Sequence, residues 1–246
     1  MGLSFFVCDG TVITSVQAAA LPSSLWQPGT GGPHWWRAEA PVLTVSVDRD
    51  DVERQLGSGG LACPACSGVL AGWGWARERR VRGLEGWASG LTPRRARCRG
   101  CGQTHVLLPV TCLARRADET GVIGLALELK AAGAGHRPIA VLLGRPPSTV
   151  RGWLRAFTSA AGEVRRSFTA LAAGLAADLP LPAVAGSPLG DAVSAVAAAG
   201  AAAAAVLGVR VVARWHLAAA VTSGLLLAPC WRAGVINASW PWAAGV

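Results

Sequence analysis

Residues 63–102 read CPACSGVLAGWGWARERRVRGLEGWASGLTPRRARCRGCG. They contain two Cys-x-x-Cys pairs, Cys63 with Cys66 and Cys98 with Cys101, separated by 31 residues. Two residues between cysteines let a pair turn tightly enough for both thiolates to face one ion, and two such pairs complete a tetrahedron. Gly68 and Gly102 follow the pairs and give the backbone freedom such turns need. The separation exceeds the commonest spacer, but loop-closure cost grows only logarithmically with length, so an intervening hairpin accommodates it. The expected cofactor is one structural zinc held by Cys63, Cys66, Cys98 and Cys101. A fourth thiolate closes the ion to water, which disfavours catalytic zinc, and a redox Cys-x-x-Cys needs only one pair in a thioredoxin-like setting. His105, four residues beyond Cys101, is expected exposed on the outgoing strand, with replacement of a displaced cysteine as the alternative. Cys8, Cys112 and Cys230 are expected as free thiols or core residues.

Between the pairs, from Arg77 to Arg99, eight arginines face only two acids, Glu78 and Glu85. The whole 246-residue chain carries a formal charge of +9 from 23 basic and 14 acidic residues, and Lys130 is its single lysine. Such an excess favours phosphate backbones or anionic lipid, against the competing reading of a solubilising surface enlarged by GC-rich coding. Its position inside the cysteine framework favours nucleic acid, with Arg95 and Arg97 as expected phosphate contacts. Seven cysteines are an odd count with four in close pairs, a poor fit to a secreted disulfide framework and a better one to a reducing cytoplasm. The first twenty residues lack the positive region of a secretory signal, so a cytoplasmic location is expected.

Working outward, residues 1–40 include LWQPGTGGPHWW without sustained period and are expected as a disordered leader. Residues 41–115 are expected as a zinc ribbon preceded by a strand in VLTVSV and a short helix capped by Asp48 and ended by glycines. Residues 118–158 read as helices. Asp118 or Thr120 is placed to cap the first, with Val122, Leu125, Ala126 and Leu129 on one face. The segment HRPIAVLLGRPPSTVRGWLR, 136–155, has the spacing of a helix-turn-helix. Ala140 is small at the crossing, Gly144 permits the turn, and Ile139, Leu143, Val150 and Trp153 return to the core. Ser148 is expected as a cap near the second helix's start. If that helix enters a major groove, Ser148, Thr149, Arg151 and Arg155 reach bases or phosphates, and Arg145 in the turn meets phosphate. The alternative is a ligand-free helical hairpin. Residues 159–246 are expected as an Ala-rich helical region. Its uncharged run 192–209 reaches the lower edge of membrane-span length, but its alanines favour a buried or self-associating helix.

Together the stretches CPACSGVLAGWGWARERRVRG, RRARCRGCGQTHVLLPVTCLARRAD and GHRPIAVLLGRPPSTVRGWLRAF resemble the zinc-ribbon plus helix-turn-helix proteins of high-GC bacteria, which look like the N-terminal DNA-binding region of insertion-sequence transposases. The resemblance covers roughly residues 42–157. It implies a homeodomain-like helix-turn-helix and a double-stranded DNA partner, but no transposase active site accompanies it. Beyond Phe157 the only acids are Glu163, Asp178 and Asp191, in Ala-rich helical sequence without the strands that gather carboxylates around two metal ions. The expected fold is therefore mainly α with a small β zinc ribbon, and the expected function is a non-enzymatic, sequence-specific DNA-binding protein, transposase-like or a transcriptional regulator. A homodimer through the C-terminal helices is expected because many such sites are two-fold symmetric. The alternatives are a transposase or nuclease with unrecognised carboxylates, and a regulator tethered to a membrane by residues 192–209 or 211–229.

Overall fold

The computed structural model describes residues 42–176, 178, 182 and 184–229, with the backbone alone at 5–8, 11–14 and 87–89. Strands β1 (Phe5–Cys8) and β2 (Thr11–Thr14) pair as an antiparallel hairpin. That hairpin lies within the leader expected to be disordered; the rest of residues 1–40 lies outside the described residues.

The β-branched run Val42–Val45 forms β3, and α1 (Arg49–Ser58) follows at once. Asp48 caps α1 by accepting from the backbone N–H of Asp50, and Gly59 ends it in the left-handed conformation at φ 75°. After the first cysteine pair come β4 (Leu70–Trp75), β5 (Arg79–Gly83), β6 (Gly86–Leu91), β7 (Arg94–Cys98) and β8 (Thr104–Pro109). The main sheet has the order β3-β8-β7-β4. Strand β3 runs parallel to β8, whereas β8–β7 and β7–β4 are antiparallel. Strands β5 and β6 form a separate hairpin within the long spacer, which accommodates its length as expected. Leu43, Val45, Val52, Leu56, Leu61, Leu70 and Leu107 bury a small core against α1, into which the Cys63 and Cys98 side chains also pack.

The helices follow as α2 (Thr120–Ala131), α3 (His136–Leu143), α4 (Pro147–Leu175), α5 (Pro188–Leu207) and α6 (Arg214–Val221). Gly144, left-handed at φ 59°, ends α3, and only Arg145 and Pro146 follow before α4 begins. Ile139, Ala140, Leu143, Val150 and Trp153 are buried, so the apolar positions expected around this turn do meet in a core. The 29 residues of α4 span about 44 Å at 1.5 Å per residue. Val150, Trp153, Phe157, Ala161, Val164, Phe168 and Leu171 bury one face of it from end to end. No structural break occurs at residue 158, where the helical hairpin was expected to give way to a separate region. One apolar core runs from Leu113 to Leu227 instead.

Helix α5 lies along α4, where its alanines permit close approach. By length and composition it could cross a membrane, with a mean hydropathy of 1.6, yet 61% of the apolar window is buried inside this chain. Trp215 on α6 packs its indole on Gly124 of α2 and stands edge-on to Phe157, 6.2 Å between ring centres. Its Nε1 donates to Glu128 at 2.7 Å. Because α2 is covered by α3, α4, α5 and α6, its burial is wider than one stripe: Ile123 and Leu127 are fully buried, and the expected Leu125 and Leu129 only partly.

Two expected caps are not formed. Glu119, without a side-chain hydrogen bond, occupies the α2 cap position, while Asp118 is drawn into an ion-pair network and the Thr120 hydroxyl donates to the Val110 carbonyl. Pro146 precedes α4 with Pro147 at its first position, so Ser148 lies inside the first turn and does not cap it.

Candidate metal centre

Each cysteine pair sits in the same backbone turn. The Ser67 N–H donates to the Cys63 carbonyl and the Cys63 N–H to the Gly68 carbonyl, both at 2.8 Å. Thirty-five positions on, Gly102 donates to Cys98 at 3.0 Å and Cys98 to Gln103 at 2.8 Å. The fifth residue of each turn is left-handed, Ser67 at φ 57° and Gly102 at φ 74°. Gly68 is needed for a different reason, because a Cβ there would stand 3.0 Å from the Cys98 Sγ and 3.2 Å from that of Cys66.

The antiparallel pairing of β4 with β7, Leu70 opposite Cys98, brings the two turns together. The four Sγ atoms lie within 4.8 Å of one another, with Cys63–Cys101 at 3.7 Å and Cys66–Cys98 at 3.4 Å. A tetrahedral ion with Zn–S bonds of about 2.3 Å requires sulfur separations of ~3.8 Å, so this donor set fits such an ion. Cys63 and Cys98 form the buried half of the cluster, Cys66 and Cys101 the exposed half. The four cysteines can hold a metal ion.

The surroundings differentiate the thiols. Burial pushes the Cys63 thiol up to about 12. The Cys101 backbone N–H, with that of Gly100, draws Cys98 down to about 6. Without metal, Cys98 is therefore the first site of negative charge, and a cation must compensate the desolvated Cys63 thiolate. His105 is fully buried, its Nε2 3.4 Å from the Cys63 Sγ, rather than exposed as expected. A ring carrying its proton on Nε2 donates to that sulfur and orients it. The period-two pattern of β8, which puts His105 on the face of buried Leu107, was the available signal.

The arginines expected to meet nucleic acid divide into three groups. Arg145 is buried, not presented in the turn. Its Nε donates to Asp118 Oδ1 at 2.6 Å, its Nη2 to the Gly83 carbonyl at 2.6 Å and its Nη1 to the Leu143 carbonyl at 2.9 Å. Asp118, itself 2% exposed, takes Arg82 on its other oxygen at 2.7 Å. Arg145 therefore bolts the β5–β6 hairpin to the turn before α4 and is removed from phosphate contact. On the ribbon, Arg95 is half-buried, whereas Arg97 is exposed with its guanidinium 4.8 Å over the Trp73 ring and its Nε bonded to the Gly102 carbonyl. Trp73 is 54% exposed, and residue-type spacing gave no sign of this stack. On α4, Ser148, Arg151 and Arg155 are exposed and Thr149 is half-buried.

The acids beyond Phe157 that lie in helices are engaged in ion pairs: Glu163 with Arg166, and Asp191 with Arg165 while also accepting from the Ala185 N–H. Comparison with protein-family models, characterised proteins and solved structures finds no match. The resemblance to transposase DNA-binding regions thus rests on motif order alone.

Proposed function

We propose that this chain is a zinc-stabilised, non-catalytic protein that binds double-stranded DNA through α3, the turn at Gly144 and α4 acting as a helix-turn-helix. One observation carries the reading. Ser148, Arg151 and Arg155 share the solvent face of the first turns of α4, opposite buried Val150, Trp153 and Phe157, and among the described residues neither arginine has an acidic partner. Two uncompensated guanidinium groups one helical turn apart match the donor geometry of guanine edges and phosphates in a major groove. Thr149 lies at the edge of this face, and Arg145 supports α4 from behind.

The metal's part in this reading is structural. Four thiolates hold a zinc ion closed to water, and the ion fixes the second turn, whose Gly102 carbonyl accepts from Arg97 at the end of β7. Arg97 adds a phosphate contact of no sequence preference, with Arg95 subordinate to it because of its burial. The buried face of α5 packs against this chain's own helices, which leaves only its remaining face for the expected dimer.

The test is duplex binding by the metal-loaded chain across a salt series. Arg97→Ala is expected to weaken all duplexes alike and reduce the salt slope by about 1, whereas Arg151→Ala relaxes sequence preference. Equal and negligible effects of both substitutions would remove the proposed interface.

A further inference from the structure

A shallow groove of about 530 Å³ opens where the end of α2, the start of α3 and the N-terminal half of α4 converge. Lys130, His136, Arg151 and Arg155 line it, with Thr158 beside them and Leu154 at its apolar side. Residues that carry one ammonium, two guanidinium groups and an imidazole thus line one small space, without a carboxylate in the lining.

The acids on the flanking helices are committed elsewhere. Glu128 takes Arg214 at 3.0 Å and the Trp215 indole N–H, Glu163 takes Arg166, and Asp191 takes Arg165. Among the described residues, no carboxylate pairs with the groove's cations. This contrasts with Arg82, Arg94 and Arg145, each of which has a carboxylate partner. Like charges gathered without a counter-ion repel, and a bound anion reverses the sign of that interaction. Guanidinium forks and an ammonium together suit tetrahedral phosphate oxygens, and the Thr158 hydroxyl adds a neutral donor.

We propose that this groove is a phosphate-binding site, with Lys130 and His136 as ligands in addition to the two α4 arginines. The phosphate belongs either to a nucleic-acid backbone or to a free phosphate-bearing molecule. The groove shares Arg151 and Arg155 with the proposed DNA face, but its chemistry does not depend on α4 entering a major groove.

The experiment titrates pyrophosphate into the full metal-loaded chain and follows the His136 imidazole resonances, with and without a duplex. Saturable shifts are expected, weakened roughly tenfold by Lys130→Gln, as loss of a charge-assisted hydrogen bond implies. Arg80→Gln, at an exposed ribbon arginine, should leave the titration unchanged. Displacement of pyrophosphate by the duplex assigns the site to a backbone phosphate, and binding of both together assigns it to a free one; either supports the groove. No saturable shift, or an equal loss in Arg80→Gln and Lys130→Gln, would overturn it. Pyrophosphate binding without any duplex binding would retain the groove and defeat the DNA reading, and the converse result would do the opposite.

Discussion

Arg145 and Arg151 are the same residue type six positions apart, yet the fold gives them opposite roles. Arg145 lies behind the turn with its charge neutralised by Asp118, while Arg151 stands in water on α4. Arg145→Ala removes one partner of a buried carboxylate and is expected to cost about 3 kcal/mol, the low end for a broken buried pair because Arg82 still faces Asp118. Arg151→Ala is expected to leave stability within about 0.5 kcal/mol, as exposed substitutions generally do. Chemical denaturation of the two variants checks this contrast, and equal stability losses would contradict it. Sequence spacing put both residues near the turn but could not separate them, because Arg145's partners come from residues 83 and 118, far away in the chain. The cysteines were legible for the opposite reason: each turn's geometry is local, and only their convergence is long-range.

At the level of the element, three glycines sit in contrasting surroundings. Gly68 approaches two ligand sulfurs, so Gly68→Ala is expected to crowd the cluster and weaken metal retention against a chromophoric chelator. Unchanged retention would show that the turn yields more freely than its geometry implies. Within the helices, Gly124 lies under the Trp215 indole, where a Cβ would fall 2.2 Å from the ring, whereas Gly162 on α4 faces open space. Gly162→Ala should therefore stabilise by up to about 1 kcal/mol through helix propensity, while Gly124→Ala destabilises by displacing the indole from Phe157 and Glu128. Thermal unfolding gives the two signs directly. The pattern of apolar residues revealed α3 and the start of α4 well, since amphipathic spacing is a local signal. It missed that α4 continues to Leu175 and that α2 is covered on several sides, because burial of an Ala- and Gly-rich surface is decided by which helices pack against it.

For the molecule as a whole, the ribbon core, which includes Cys63 and Cys98 of the four-cysteine cluster, and the helical core are two sources of stability joined by the Arg82–Asp118–Arg145 network. If the cluster holds zinc as proposed, removing the ion with a chelator is expected to abolish the near-ultraviolet signal of ribbon residues Trp73 and Trp75 while most far-ultraviolet helical signal persists, since structural zinc in zinc-finger peptides binds with about 10–16 kcal/mol. Simultaneous loss of both signals would mean that the helices depend on the metal too. The mainly helical fold with a small sheet was readable from composition and periodicity, whereas the packing of α5 against α4 was not, because its uncharged run satisfies a membrane-span criterion equally well. Whether a metal-organised ribbon supports a DNA-reading α4 is decided by selecting bound duplexes from a random library with the metal-loaded chain and its Arg151→Ala variant in parallel. One short enriched motif is expected for the parent chain, with loss of preference at specific positions in the variant. No enrichment by the parent chain, or an identical motif from both proteins, would contradict a DNA-reading α4.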